Sequence, residues 1–119
     1  MSAKLDLKPR HAEIVRRILG AHVPEVEVWA YGSRVTGDSH DGSDLDLVLR
    51  HPEQQAAGQR KLGQLKTALE ESDLPILVDV LDLAYLPVAF QREIERAYAI
   101  MHAPDADGVQ PVPPRSRAR

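Results

Sequence analysis

Cysteine is absent from these 119 residues, so neither a disulfide framework nor a thiolate metal site is available, and a reducing compartment is the easier setting. Long apolar runs are missing too. No window approaches the roughly 18 uninterrupted apolar residues of a membrane span, and the amino-terminal MSAKLDLKPRHAEIV lacks the apolar core of a secretion signal. The expected location is the cytoplasm, with no membrane partner. Nor is there an excess of positive charge: 18 acidic against 15 basic side chains give a net charge of -3. That balance argues against a general electrostatic footprint for nucleic acid. The five histidines, His11, His22, His40, His51 and His102, are scattered along the chain, which excludes the clustered spacing of a zinc site. There is no internal repeat.

What remains is enough for one core. With 43% hydrophobic residues, the length supports a single compact domain and is too short for two of ordinary size. The expected boundaries are a domain over 1–103 and a tail over 104–119. The tail holds Pro111, Pro113 and Pro114 followed by Arg115, Arg117 and Arg119, with too little apolar surface to pack, so disorder is expected there.

Pro9 suits a first helical turn, and Ile14, Val15, Ile18 and Leu19 recur at helical spacing until Gly20 and Pro24. Residues 25–31, EVEVWAY, alternate into Gly32 and read as a strand ending in a turn. The stretch 32–43, GSRVTGDSHDGS, reads as a loop with one helical turn at its start. DLDLVLR, residues 44–50, puts Leu45, Leu47 and Leu49 on one face and Asp44, Asp46 and Val48 on the other. Pro52 breaks this strand, and Leu62, Leu65, Ala68 and Leu69 mark a helix from about Gln54 to Ser72. PILVDVLDL, from Pro75, reads as a buried strand carrying Asp79 and Asp82. From Leu86, the spacing of Phe90, Ile94, Ala97, Tyr98 and Met101 predicts a last helix. The expected order is α, β, β, α, β, α. Trp29 and Tyr31 share a strand face, where packing under a helix is the expected role.

Two strand residues at i and i+2 lie roughly 6.6 Å apart on one face, so Asp44 and Asp46 form a natural oxygen clamp for a hard cation. Asp79 supplies a third acid, expected to be buried, where a lone charge is costly without a metal or partner. Phosphate also needs donors. Gly32 followed by Ser33 at a strand end lets backbone approach closely while the hydroxyl faces anionic oxygens, and Arg34 is expected to add a charge-assisted contact. Asp82 is expected to cap the turn that follows it, and Asp38 and Asp41 to shape turns around Gly37 and Gly42.

The pattern GSRVTGDSHDGSDLDL followed by VDVLDL resembles the DNA polymerase β-like nucleotidyltransferase superfamily: Gly-Ser, a loop of about ten residues, Asp-x-Asp, and a later strand Asp. WAYGSR before the loop and SDLDLVL after it look like the minimal nucleotidyltransferases (MNT), over roughly residues 8–102. The resemblance implies an α/β (α+β) fold with a small mixed sheet of three to four strands flanked by helices. It implies ATP as substrate with Mg²⁺, two ions, held by Asp44, Asp46 and Asp79, and nucleotide binding by Gly32, Ser33 and Arg34. In-line attack of an acceptor hydroxyl on the α-phosphorus would release pyrophosphate, Asp79 helping to remove the acceptor proton.

Larger members of the superfamily add helical domains to hold the acceptor, and at this length none is expected, so a second chain is expected to supply it. Small members resemble the antitoxin halves of modules with HEPN-domain ribonucleases, in which AMP is added to a tyrosine of the toxin. That makes a nearby-encoded HEPN toxin the expected partner. Two alternatives stand beside it: an antitoxin that neutralises by binding alone, or a transferase acting on a small-molecule hydroxyl such as an aminoglycoside. No residue here distinguishes one base edge from another.

Overall fold

In the computed structural model the described residues are 4–50 and 59–104. Helix α1, Pro9–His22, begins with the proline in its first turn and turns Ala12, Val15 and Leu19 inward. Proline lacks the N–H that a first turn leaves unused, and its fixed φ already suits a helix. Strand β1, Glu27–Tyr31, follows. A single turn α2, Ser33–Thr36, comes next, as expected of the loop's start. Then come β2, Leu45–Arg50, α3, Gln59–Glu70, and β3, Val78–Asp82. After a 3₁₀ turn at Leu83–Tyr85, helix α4, Val88–Arg96, leads into β4, Ala99–His102.

The four strands form one sheet in the order β3-β2-β1-β4. It is mixed: β1 runs antiparallel to both β2 and β4, while β2 and β3 are parallel. Period-2 alternation gives the sheet two different faces. Val28, Ala30, Leu45, Leu47, Leu49, Val80 and Met101 project to one face, where Val15 and Leu19 of α1 and Leu65 and Leu69 of α3 complete the main core. On the other face Trp29, Val48 and Leu81 pack with Ile94 and Phe90 of α4. Tyr98 stacks on Trp29 with centroids 4.0 Å apart, so the expected packing of Trp29 is borne out. The same holds for Tyr31, whose ring meets Phe90 edge-on at 6.0 Å.

One element differs in kind. The expected last helix stops at Arg96, Ala97 turns extended at φ -152 and ψ 105, and the chain becomes an edge strand. Phe90 and Ile94 keep their helical roles, whereas Ala99 and Met101 are buried and Ile100 is exposed. Tertiary demand overrides helical spacing here: without β4, the hydrogen-bonding edge of β1 would lie open beneath Trp29 and Ala30. The third strand is also shorter than expected, and Asp79 is exposed rather than buried. The proposed break at Pro52, the start of the helix at Gln54 and the tail over 105–119 lie outside the described residues.

Candidate active site

Because β1 is antiparallel to β2 and β2 is parallel to β3, the end of β1 meets the beginning of β2, which lies beside the beginning of β3. Tyr31 pairs with Asp46, and Asp46 pairs with Asp79. Directly paired residues share a face, with Cβ atoms typically about 5 Å apart. Asp46 and Asp79 therefore stand side by side on the α4 side of the sheet, and Asp44, two residues before Asp46, joins them just ahead of β2. The electrostatics agree. The Asp46 carboxyl is pushed above its usual range, first by burial and then by the charges of Asp79 and Asp44. None of the three acids takes a hydrogen bond or ion pair from another described residue.

The turn that follows β1 is moulded to this cluster. Gly32 adopts φ 84 and ψ -155, a region open essentially to glycine alone. A Cβ built there would lie 2.5 Å from Oδ2 of Asp46, well inside contact distance. Its carbonyl accepts from the amides of Val35 and Thr36, which winds α2 directly off the strand end. Ser33 opens that turn half-buried, and its hydroxyl makes no hydrogen bond among the described residues. Glycine, free hydroxyl and carboxylates are thus gathered at one end of the sheet.

Arg34 departs from expectation. Instead of facing a ligand, its side chain is 6% exposed. Nε donates to the Ser43 carbonyl at 3.1 Å, Nη1 to the Asp6 carbonyl at 2.8 Å, and Nη2 to Ser43, Asp41 and His40 carbonyls at 2.9, 3.1 and 3.3 Å. A guanidinium with these commitments is not available to phosphate, so Arg34 leaves the set of nucleotide contacts. Asp82 behaves as expected: buried, it accepts from the Ala84 amide at the start of the 3₁₀ turn. Asp38 accepts from the Thr36 hydroxyl at 3.2 Å.

Tyr31 belongs to the site as well as to the packing. Its hydroxyl pKa is raised to about 12, by burial first and then by the charges of Asp46 and Asp79. The sequence offered a signal, since Tyr31 directly precedes Gly32, but only the antiparallel register puts it opposite Asp46.

The donor set is all carboxylate oxygen, which suits a hard cation. Among the described residues no three acidic or histidine side chains are drawn close enough to enclose an ion unaided. An open acidic cluster of this kind fits magnesium, which commonly takes one or two carboxylates and completes its octahedron with water and substrate phosphate. Burial raises the Asp46 pKa most, and the repulsion by Asp79 and Asp44 that adds to it is what such a cation would relieve.

Comparison with known proteins shows the family. Residues 9–103 match the nucleotidyltransferase domain family. A curated relative from Haemophilus influenzae, described as a probable protein adenylyltransferase MntA, is 41% identical over 99 residues, which is 83% of this chain and 85% of that protein. Among solved structures, a toxin-antitoxin with AMP-PNP superposes with a TM-score of 0.64 at 18% identity, over 81% of this chain and 76% of the other. A toxin-antitoxin MntA-HepT superposes at 0.54 and 13% identity, over 84% and 76%. At those identities the two structures speak to the fold.

Proposed function

The chain belongs to the nucleotidyltransferase domain family and is a nucleotidyltransferase, and from that premise we propose that it transfers AMP from ATP to a tyrosine hydroxyl of a HEPN-type toxin, acting as its antitoxin. The observation that carries the reading is the register pair Asp46–Asp79, with Asp44 beside it, set against the Gly32-Ser33 turn. Support for the biological setting comes from the relatives. One is described as a protein adenylyltransferase, and two structural neighbours are toxin-antitoxin assemblies, one of them with AMP-PNP.

Asp44, Asp46 and Asp79 would hold two magnesium ions together with the triphosphate. Once bound, magnesium offsets the charge of the phosphates and favours ionisation of the attacking hydroxyl. The Ser33 hydroxyl, which has no partner among the described residues, donates to the triphosphate tail, and Gly32 keeps the backbone close enough for it to reach. Asp79, exposed at the sheet edge, accepts the acceptor's proton. The acceptor oxygen then bonds to the α-phosphorus, the bond from that phosphorus to its bridging oxygen breaks, and pyrophosphate leaves. Most of the acceleration in such a transfer is positioning and electrostatic stabilisation, so each carboxylate carries a large share.

The test is incubation with α-labelled ATP and Mg²⁺, with and without the product of the neighbouring gene. Label on a tyrosine of that product supports the proposal. Tight binding without label would indicate neutralisation by occlusion, and label found only on small hydroxylated molecules would indicate another acceptor; either result overturns it.

A further inference from the structure

Between Ser33 and Asp44 the chain must return to the same site, and residues 36–44, TGDSHDGSD, contain no apolar side chain. Burial of hydrophobic surface therefore cannot hold this segment, and hydrogen bonds must. A few are internal: the Ser43 amide donates to the His40 carbonyl at 3.0 Å, the His40 amide to the Ser43 hydroxyl at 2.9 Å, and the Gly42 amide to His40 Nδ1 at 3.2 Å. These close the tip on itself without fastening it to the domain. The Ser39 hydroxyl donates to the Asp6 carboxylate, but both groups lie at the surface, where such a bond is weak.

The buried anchor is Arg34. Four of its five hydrogen bonds go to the carbonyls of His40, Asp41 and Ser43, the residues that lead into Asp44. The fifth goes to the Asp6 carbonyl, and the Asp6 amide returns a bond to the Arg34 carbonyl at 2.7 Å. Leu5 and Leu7 on either side pack against the main core, so the guanidinium ties the polar loop to a fixed segment. Charge-assisted bonds of this kind are stronger than neutral ones, and the planar fork serves several carbonyls at once in a way an ammonium cannot. No carboxylate among the described residues pairs with it.

We propose that Arg34 is a positioning residue for the transfer reaction: it fixes the backbone of residues 40–43, and through it the place of Asp44 relative to Ser33, without touching the nucleotide. This rests on the reading that Asp44 and Ser33 serve one nucleotide site.

Arg34→Lys and Arg34→Ala, compared with the unaltered protein, test it by amide hydrogen exchange over residues 37–43 in the ligand-free state and by transfer kinetics. The expected result is faster exchange confined to that loop. kcat should fall on the order of 10²-fold, as expected for misplacement by about 1 Å, with KM for ATP changed less than about threefold. Lysine should rescue little, while added guanidinium should restore loop protection and part of kcat to Arg34→Ala. A rise in KM with kcat preserved and rescue by lysine would show a direct phosphate contact and overturn the proposal, as would unchanged exchange. In the unaltered protein the Arg34 Nε–H resonance should be protected and move little on adding Mg²⁺ and AMP-PNP. That measurement stands if neither variant folds, and a large shift overturns the proposal. The exchange experiment uses no substrate, so it is separable from the site assignment, which fails instead if Asp44→Asn with Asp46→Asn keeps full transfer.

Discussion

Replacing Gly32 with alanine should damage the protein in two distinguishable ways. The backbone at φ 84 and ψ -155 lies where a side chain is strained whatever space surrounds it, at a cost of roughly 1–3 kcal/mol. The new methyl would also meet Asp46 Oδ2 at 2.5 Å. Because that oxygen is the far end of a flexible side chain, the carboxylate would rotate away, adding about 0.5–1.5 kcal/mol if it leaves its rotamer well. Together these give about 1.5–4.5 kcal/mol, or a melting temperature lower by roughly 5–30 °C for a domain of this size. The rotated carboxylate is also a proposed magnesium ligand, so transfer should fall on the order of 10²-fold in protein that is still folded. Urea unfolding of Gly32→Ala in the wild-type and Asp46→Ala backgrounds separates the parts. Without the carboxylate only the backbone part remains, and the cost should shrink by about 1 kcal/mol. If Gly32→Ala stayed within about 0.5 kcal/mol of the parent and kept full transfer, the close approach of turn and carboxylate would be refuted.

Asp44→Asn with Asp46→Asn should lower transfer by more than about 10³-fold while leaving the circular dichroism spectrum unchanged, because Asp44 is exposed and Asp46 only half-buried. Asp46 also predicts a pH dependence of stability. Its carboxyl is raised in the folded state, so its contribution is complete below the unfolded value near 3.8 and is lost as pH rises through the folded value. Asp46→Asn should therefore flatten the decline of unfolding free energy just above pH 3.8 relative to the parent, and added Mg²⁺ should raise the melting temperature of the parent at neutral pH but not of the double variant. Tyr31 predicts a tyrosine that ionises at about pH 12, visible by ultraviolet difference absorbance. Asp46→Asn should bring that ionisation to lower pH by removing one of the charges that oppose it.

The parts legible in the sequence were those where a local pattern and the tertiary demand coincide. DLDLVLR alternates cleanly, and the structure uses both of its faces as read. Gly32 was legible as a close approach, although what it approaches, the Asp46 carboxylate, depends on a strand pairing that no local pattern encodes. AIMH at 99–102 was misread because Ala97, Tyr98 and Met101 continue the spacing begun by Phe90 and Ile94, and only the open edge of β1 decides against a helix. Asp79 and Asp82 look alike within VDVLDL, yet one is exposed beside Asp46 and the other is buried as a cap. Arg34 was given to phosphate because it follows Ser33. The overlooked signal was the missing apolar residue in the loop it faces, which leaves a buried donor as the means of holding that loop.

The arrangement of β2 explains how a repelling cluster of acids persists in a small domain. A slip of one residue in register would exchange its faces, taking Leu45, Leu47 and Leu49 out of the main core to the side packed by Trp29 and Ile94, and turning Asp44 and Asp46 toward that core. Three fully buried leucines are worth at most roughly 5–9 kcal/mol at about 1.5–3 kcal/mol each, and turning two unpaired carboxylates into an apolar core adds to the cost of the slip. Two carboxylates about 5 Å apart repel by roughly 1–3 kcal/mol at effective dielectrics of about 20–80. The hydrophobic term wins, so the core holds the acids in a register they would not choose. Replacing Leu47, the central leucine, with alanine should cost about 2–5 kcal/mol and weaken that hold. The repulsion left at the strand ends is then available to be relieved by a divalent cation arriving with a triphosphate. On this account the affinity of the site for magnesium depends on leucines on the opposite face of the same strand. Magnesium-induced stabilisation measured in a Leu47→Ala variant that remains folded should be smaller than in the parent, and an undiminished shift would show that the carboxylates are positioned by something other than the register of β2.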